Sequence, residues 1–232
     1  MTWDDVCTHR LHLRRYRMQS KVILAATGLL ILLPAVLFFF TDFSDLPMEQ
    51  RFLASLFQAV TPRTAGYNTA DLTAMTEASR AVMTVLMLIG GAPGSTAGGM
   101  KVTTLTVLTA NAFATFRRRA EPQLFHRRLE GAAVRNASTI LMLYLTLFFT
   151  GAVIISTAEG LPLSACLYET ASAVGTVGLT LGLTPQLGAL SQWILIVLMF
   201  LGRVGGLTLI YAAYSGRDLS CARFPQEKIT VG

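Results

Sequence analysis

The feature that most limits how this chain can fold is the run of residues 22–40, which carries no ionisable side chain. A helix rises about 1.5 Å per residue and the hydrocarbon core of a bilayer is about 30 Å thick, so a run of this length suits a spanning helix. The rest of the chain agrees. It is 53% hydrophobic and only 14% charged, too apolar and too poor in charge for an ordinary soluble domain of this size. The expected fold class is an all-α membrane protein. A secretory signal peptide is the competing reading, because Arg14, Arg15, Arg17 and Lys21 precede the run. The run is long for that role, and no small-residue cleavage site follows Phe39 and Phe40.

The net charge of +6 is informative through its distribution. Basic residues gather in 10–21, 117–128 and 217–228, whereas the intervening polar segments carry Asp42, Asp45 and Glu49, or Glu159. This alternation is the positive-inside pattern and places both termini and the central linker in the cytoplasm. Nucleic acid is not expected as a partner, because each basic stretch carries a single phenylalanine or tyrosine (Tyr16, Phe125, Phe224) and not the series of aromatics of a base-stacking surface. Cys7, Cys166 and Cys221 are scattered without metal-ligand spacing, which implies neither a zinc site nor a disulfide framework. His9, His12 and His126 sit in basic segments with no carboxylate or cysteine at catalytic spacing and read as solvated surface. Ser95 and Thr96 lie in no nucleophile elbow, so no enzyme is expected.

The chain is organised twice over in the same order. A spanning stretch (22–40) is followed by a short segment (50–60), an irregular stretch after Thr61-Pro62, and a returning stretch (80–116) interrupted at 90–99. After the linker come a second spanning stretch (133–157), a short segment (163–173), an irregular 175–180 and a returning 190–214. This internal repeat divides the chain into a basic segment 1–21, a first pore repeat 22–116, a linker 117–132, a second pore repeat 133–215 and a tail 216–232. Each unit reads as helix, pore loop, helix. Irregular backbone at membrane depth must be buried in protein or line water, so two re-entrant loops imply an aqueous path. Alternatively, each short segment lies on the outer surface and its glycines are ordinary turns.

A dehydrated potassium ion needs several oxygen ligands, which a ring of backbone carbonyls supplies if the chain stays extended with its carbonyls inward. The two irregular stretches suit this. Thr64-Ala65-Gly66-Tyr67-Asn68 and Thr176-Val177-Gly178-Leu179-Thr180 each place a threonine two residues before a glycine, directly after a short segment. Thr176-Val177-Gly178 also reproduces the Thr-Val-Gly opening of potassium-channel filters.

With these motifs in view, the chain resembles the membrane subunits of the Trk/Ktr/HKT superfamily of potassium transporters, specifically the C-terminal half of the KtrB type. The resemblance rests on TPRTAGYNT at 61–69, GGAPGSTAGG at 90–99, GTVGLT at 175–180, FLGRVGG at 200–206 and PQEKITVG at 225–232. It covers nearly the whole chain. It implies gated potassium uptake through a filter that holds K+ at the carbonyls of the two five-residue stretches named above, with sodium coupling left open. The alternative function is a non-conducting structural subunit of such a system.

The stretch 90–99, with Gly90, Gly91, Gly94, Ser95, Thr96, Gly98 and Gly99, corresponds in the family to an intramembrane gate loop below the filter. A phosphate-binding reading fails, because Met100 stands where a Walker lysine would follow and no strand precedes. The alternative is a simple kink between two helices. Arg203 is an isolated charge in an apolar stretch, costly and usually functional. The resemblance places it beneath the filter as a barrier to cations; the alternative is an anchor paired to a carbonyl or to Glu169. Lys101 is either a second cation of the gate or snorkels to the cytoplasmic interface.

The family builds one filter from four repeats, and this chain supplies two. Either a preceding half lies outside the sequence, which the linker-like opening at Trp3-Asp4-Asp5 favours, or two copies pair about a two-fold axis. The implied partners are the lipid bilayer, a second membrane subunit in a homodimer, and a cytoplasmic ring of KtrA-type nucleotide-binding subunits at 117–128 and the basic tail. Attraction of those basic stretches to anionic headgroups is the competing reading.

Overall fold

The computed structural model describes residues 15–119 and 121–205. Expectations for Cys7, His9, His12, Gly206 and the basic tail lie outside the described residues. Helix α1 (Met18–Thr41) is followed by α2 (Met48–Val60), α3 (Glu77–Leu88) and α4 (Val102–Phe116). A two-residue hairpin, β1 (Gln123–Leu124) and β2 (Arg127–Arg128), occupies the linker. Then come α5 (Gly131–Glu159), α6 (Leu163–Gly175), a short 3-10 turn (Thr184–Gln186) and α7 (Ala189–Val204).

Helices α1 and α5, of 24 and 29 residues, are long and apolar enough to cross a membrane. At about 1.5 Å per residue both exceed a hydrocarbon core of about 30 Å. Pro34 interrupts α1 without ending it, a substitution that membrane helices tolerate when neighbours satisfy the freed carbonyl. The returning stretch 80–116 is two helices, α3 and α4, because residues 90–101 leave helical geometry between them.

The end of each long helix is tied to the start of a later one by a carboxylate. Asp42, just past α1, accepts from the Thr76 amide at 2.7 Å and from the Ser79 hydroxyl. Thr76 is the N-cap of α3, its hydroxyl accepting from the Ser79 amide at 3.3 Å. Glu159, at the end of α5, accepts from the Gly188 amide at 2.9 Å and the Ser191 hydroxyl at 2.6 Å, where Gly188 is the N-cap of α7. Residues 76 and 79 thus correspond to 188 and 191, the same separation as between Thr64 and Thr176 or Gly66 and Gly178.

Partial burial raises the Asp42 pKa, but hydrogen bonds from Ser79, Thr41 and Thr76 outweigh it and hold the carboxyl below its ordinary value. A folded-state pKa below the unfolded one contributes stability above the unfolded value of about 3.9, lost as pH falls through the folded value. Asp42→Asn therefore lowers stability at neutral pH, by about 1 kcal/mol for the weakened charged hydrogen bonds. Thermal melts of the two proteins converge as pH falls below about 4.

Packing distinguishes the two short helices. From Tyr168 to Gly175 every residue of α6 is buried. Its residues enter both apolar clusters, Tyr168 and Ala171 in one with Phe38 and Met87, Cys166 and Val174 in the other with Val102 and Leu198. Helix α2 buries only Ser55, Gln58 and Ala59, and its Phe52 and Leu53 are 60% and 64% exposed. Arg51 of α2 bonds the Phe39 carbonyl at 2.6 Å and lies over the Phe39 ring, which anchors the helix at its start.

The hairpin is not apparent from sequence. Its turn residues Phe125 and His126 take φ of 47° and 64°, the left-handed pair of a tight hairpin turn that glycine and asparagine usually supply. Among the described residues its Arg128 pairs with Glu121 at 2.8 Å, both exposed.

Candidate functional site

Helix α6 ends in a closure that needs a left-handed residue. The Thr176 amide bonds the Ala173 carbonyl at 3.0 Å and the Val177 amide bonds the Ser172 carbonyl at 2.9 Å. That pair of bonds defines a Schellman cap, whose left-handed position normally holds glycine. Here it holds Thr176, with φ 53° and ψ 42°. After α2 the Gly66 amide likewise reaches back to the Thr61 carbonyl at 3.1 Å, and Thr64 has φ 68°. A β-branched residue in this region is an outlier that costs on the order of 1–3 kcal/mol and persists where surrounding structure enforces it. The backbone is consequently not the extended strand expected from sequence. Left-handed residues at Thr176 (φ 53°) and Gly178 (φ 94°) flank Val177, the first of them closing the helix.

The two glycine stretches meet. A Cβ on Gly66 would lie 2.0 Å from the Val177 carbonyl oxygen, so only a bare α-carbon fits between the loops. Thr176, Val177, Gly178 and Thr180 face a cleft of about 770 Å³, which Glu169 and Arg203 also line. The Thr176 hydroxyl oxygen is buried with no hydrogen-bond partner among the described residues.

Glu169 is 4% exposed and organises the residues after the second loop. Its Oε1 accepts from the Thr180 hydroxyl at 2.6 Å and the Leu181 amide at 2.9 Å, and its Oε2 accepts from the Thr184 hydroxyl at 2.7 Å. The Ser172 hydroxyl accepts from the Gly178 amide at 3.1 Å. The sequence offers Glu169 only as a partner for Arg203. No such ion pair forms: the carboxylate serves these three donors, and Arg203 is exposed on the same cleft. A carboxylate in an apolar segment was the available signal, and its partners lie too far along the chain to be read from spacing.

The stretch 90–99 forms a loop with a pinned base. The Gly90 amide bonds the Met100 carbonyl at 2.7 Å, the Met100 amide bonds the Leu88 carbonyl at 3.0 Å, and the Val102 amide bonds the Gly91 carbonyl at 3.1 Å. These bonds make it more than a kink between helices. Lys101 turns back to the loop instead of following its long stem away: Nζ donates to the Ala97 carbonyl at 2.5 Å. The returning side of the loop, next to its base, lies against the second glycine stretch, since a Cβ on Gly98 would fall 2.1 Å from the Thr176 hydroxyl oxygen.

Arg203 is held in place by α7 packing closely on α6, where a Cβ on Gly202 would fall 2.0 Å from the Val174 carbonyl oxygen. It also lines a second cleft of about 410 Å³ with Ser95, Thr96 and Lys101. Both glycine stretches, the loop and the two cations are thus contiguous; Tyr67 and Asn68 are exposed beyond the contact.

The TrkH family profile, described as a cation transport protein, matches residues 12–217. The chain belongs to the TrkH family. This is a family of membrane ion transporters, not enzymes. The chain is 34% identical over its full length to the potassium/sodium uptake protein NtpJ of Enterococcus hirae, covering 54% of that protein. It is 33% identical to Ktr system potassium uptake protein B of Bacillus subtilis over 98% of the chain and 52% of the relative. The crystal structure of the potassium transporter TrkH from Vibrio parahaemolyticus superposes with a TM-score of 0.71, at 23% identity, over 84% of this chain and 43% of that one. That likeness shows the fold. The TrkH-family chain therefore spans about half the length of the relatives it matches.

Proposed function

We propose that this TrkH-family chain supplies two pore repeats of a membrane channel for potassium uptake, with residues 64–68 and 176–180 as parts of its selectivity filter. The observation that carries the reading is the pair of matched threonines, Thr64 and Thr176, both left-handed and both leading into glycine stretches that touch at Gly66 and Val177. Strain repeated at corresponding positions is what a constrained ion path would impose. The uptake of potassium and sodium named for the relatives supports cation transport and leaves sodium coupling open.

On this reading α2 and α6 are the pore half-helices, and the carbonyls of 64–68 and 176–180 replace the hydration shell of K+. The exposed apolar face of α2 is covered by further repeats, supplied by a preceding half or a second copy, and by lipid. Residues 90–99 are the gate, seated under Thr176, with Lys101 holding the loop closed through Ala97. Arg203 adds a fixed positive charge between filter and gate. At an effective dielectric of about 20, two unit charges about 8 Å apart repel by about 2 kcal/mol, enough to slow conduction by more than tenfold. The basic segment and the hairpin linker face the cytoplasm, and the linker docks a nucleotide-binding ring. Charge reversal of Arg117, Arg118 and Arg119 together should abolish copurification of that ring, and retention of the ring would remove the linker as its docking site.

Rubidium uptake by potassium-uptake-deficient cells expressing the assembled channel tests the function. Saturable uptake competed by potassium is expected; its absence in protein that reaches the membrane would favour the structural-subunit alternative. Glu169 gives a finer result. Glu169→Gln keeps the shape but weakens acceptance from Thr180, Leu181 and Thr184, each charge-assisted bond being worth about 1.5–3 kcal/mol. The expected outcome is a potassium-over-sodium preference reduced by about tenfold or more, with Glu169→Asp intermediate.

A further inference from the structure

The outer half of α3 carries a polar cleft apart from the ion path. It measures about 450 Å³, lies between α3 and α6, and is lined by Glu77, Arg80, Thr84, Ser164 and Tyr168. Tyr168 is 1% exposed, and its hydroxyl has no hydrogen-bond partner among the described residues. The Nε of Arg80 is also buried without one among those residues. A guanidinium can only donate and a phenol donates readily, so the cleft holds two unused buried donors, one permanently charged. Leaving both unpaired is costly, and an anionic oxygen would satisfy both. The first turns of α3 and α6 open onto the same space and add the positive ends of their dipoles.

An apolar groove of about 350 Å³ adjoins it between α1 and α3, lined by Leu29, Leu33, Pro34, Val82 and Val85. Ala81 lines both cavities. Leu29, Leu33 and Val85 are each more than half exposed. The tie from Asp42 to Thr76 sets the first turn of α3 level with the end of α1, so Arg80 lies about one turn inside the end of that spanning helix.

We infer that the two cavities form a phospholipid site, in which Arg80 and Tyr168 bind the phosphate and one acyl chain follows the groove between α1 and α3. Charge complementarity selects phosphate, and the apolar continuation selects a lipid over a free anion. Glu77 stands exposed at the rim, where it suits the ammonium of an ethanolamine headgroup. The inference rests on the membrane placement of α1 and α3 and not on the filter assignment, so it stands or falls separately from ion flux.

The test is native mass spectrometry of the purified protein in detergent, titrated with dioleoylphosphatidylethanolamine. Saturable retention of lipid is expected. Arg80→Gln should weaken retention about tenfold or more and Tyr168→Phe about fivefold, as for a charged and a neutral hydrogen bond. Val85→Trp, which fills the groove from its exposed side, should weaken retention comparably and carries the test if Arg80→Gln fails to accumulate. Dioleoylglycerol, which lacks the phosphate, should bind at least about tenfold more weakly than the phospholipid. Equal retention of dioleoylglycerol, unchanged retention in Arg80→Gln and Val85→Trp, or displacement of the lipid by millimolar inorganic phosphate would overturn the lipid site.

Discussion

If residues 64–68 form part of the proposed filter, replacing Gly66 by alanine should abolish rubidium uptake while leaving the protein in the membrane. Two independent physical effects act together at this position. The added Cβ would sit 2.0 Å from the Val177 carbonyl oxygen, a backbone atom that cannot rotate aside, and Gly66 has φ of 75°. Relieving the overlap moves the second glycine stretch as well as the first. Overpacking of this kind costs about 1–3 kcal/mol in stability, yet a displacement of about 1 Å in a carbonyl ring costs far more in conduction than in folding, because ion ligation needs its geometry held within about 0.5 Å. Uptake should fall to the level of empty cells. The matched control is Gly28→Ala in α1, where a Cβ meets nothing within 4 Å and uptake should be unchanged. Measuring both proteins' membrane levels and melting temperatures separates lost conduction from lost fold.

Shortening residues 92–97 and neutralising Arg203 should both raise flux, but with different dependence on the cytoplasmic ring. Backbone bonds pin the loop at its base, among 88–91 and 100–102, and only the Lys101 side chain ties its body at Ser95 and Ala97, so that body moves without breaking the base. Removing it takes away the element the ring would control, and uptake should become independent of the ring. Arg203 does not move in this account; its charge lies on both clefts, and Arg203→Gln removes a repulsion of about 2 kcal/mol. Uptake should rise by about tenfold or more, with ring dependence kept. An Arg203 variant that lost ring control while the loop deletion kept it would reverse the two roles. Lys101→Met offers a check between them, since it removes the side-chain ties to the Ser95 and Ala97 carbonyls and leaves the base of the loop intact.

Much of the fold is legible in the sequence because it depends on local signals. The uncharged run 22–40 announces α1, the Thr61-Pro62 and Gly175 positions end the short helices, and the glycines of 90–99 break the returning stretch. Among the described residues, the motifs at 61–69, 90–99, 175–180 and 200–205 contain the residues that meet around the two clefts. What the sequence hides is set by distant partners. Nothing near Glu169 indicates that its oxygens bind residues 180, 181 and 184. The direction of Lys101 depends on the fold of the loop, and the contact of Gly66 with Val177 joins segments from opposite halves of the chain. The hairpin is concealed for a local reason: its left-handed turn is made by Phe125 and His126 instead of the glycine or asparagine that would have marked it.

The potassium-to-sodium permeability ratio of Gly178→Ser in the assembled channel tests the central claim most directly. A Cβ at this position meets nothing within 4 Å, so serine is excluded by backbone conformation alone, through a φ of 94° that side-chain-bearing residues avoid. The substitution therefore acts on the path of the carbonyls without introducing a clash. If residues 176–180 ligate the ion, the ratio falls sharply while the protein still reaches the membrane; an unchanged ratio would contradict their assignment as the filter.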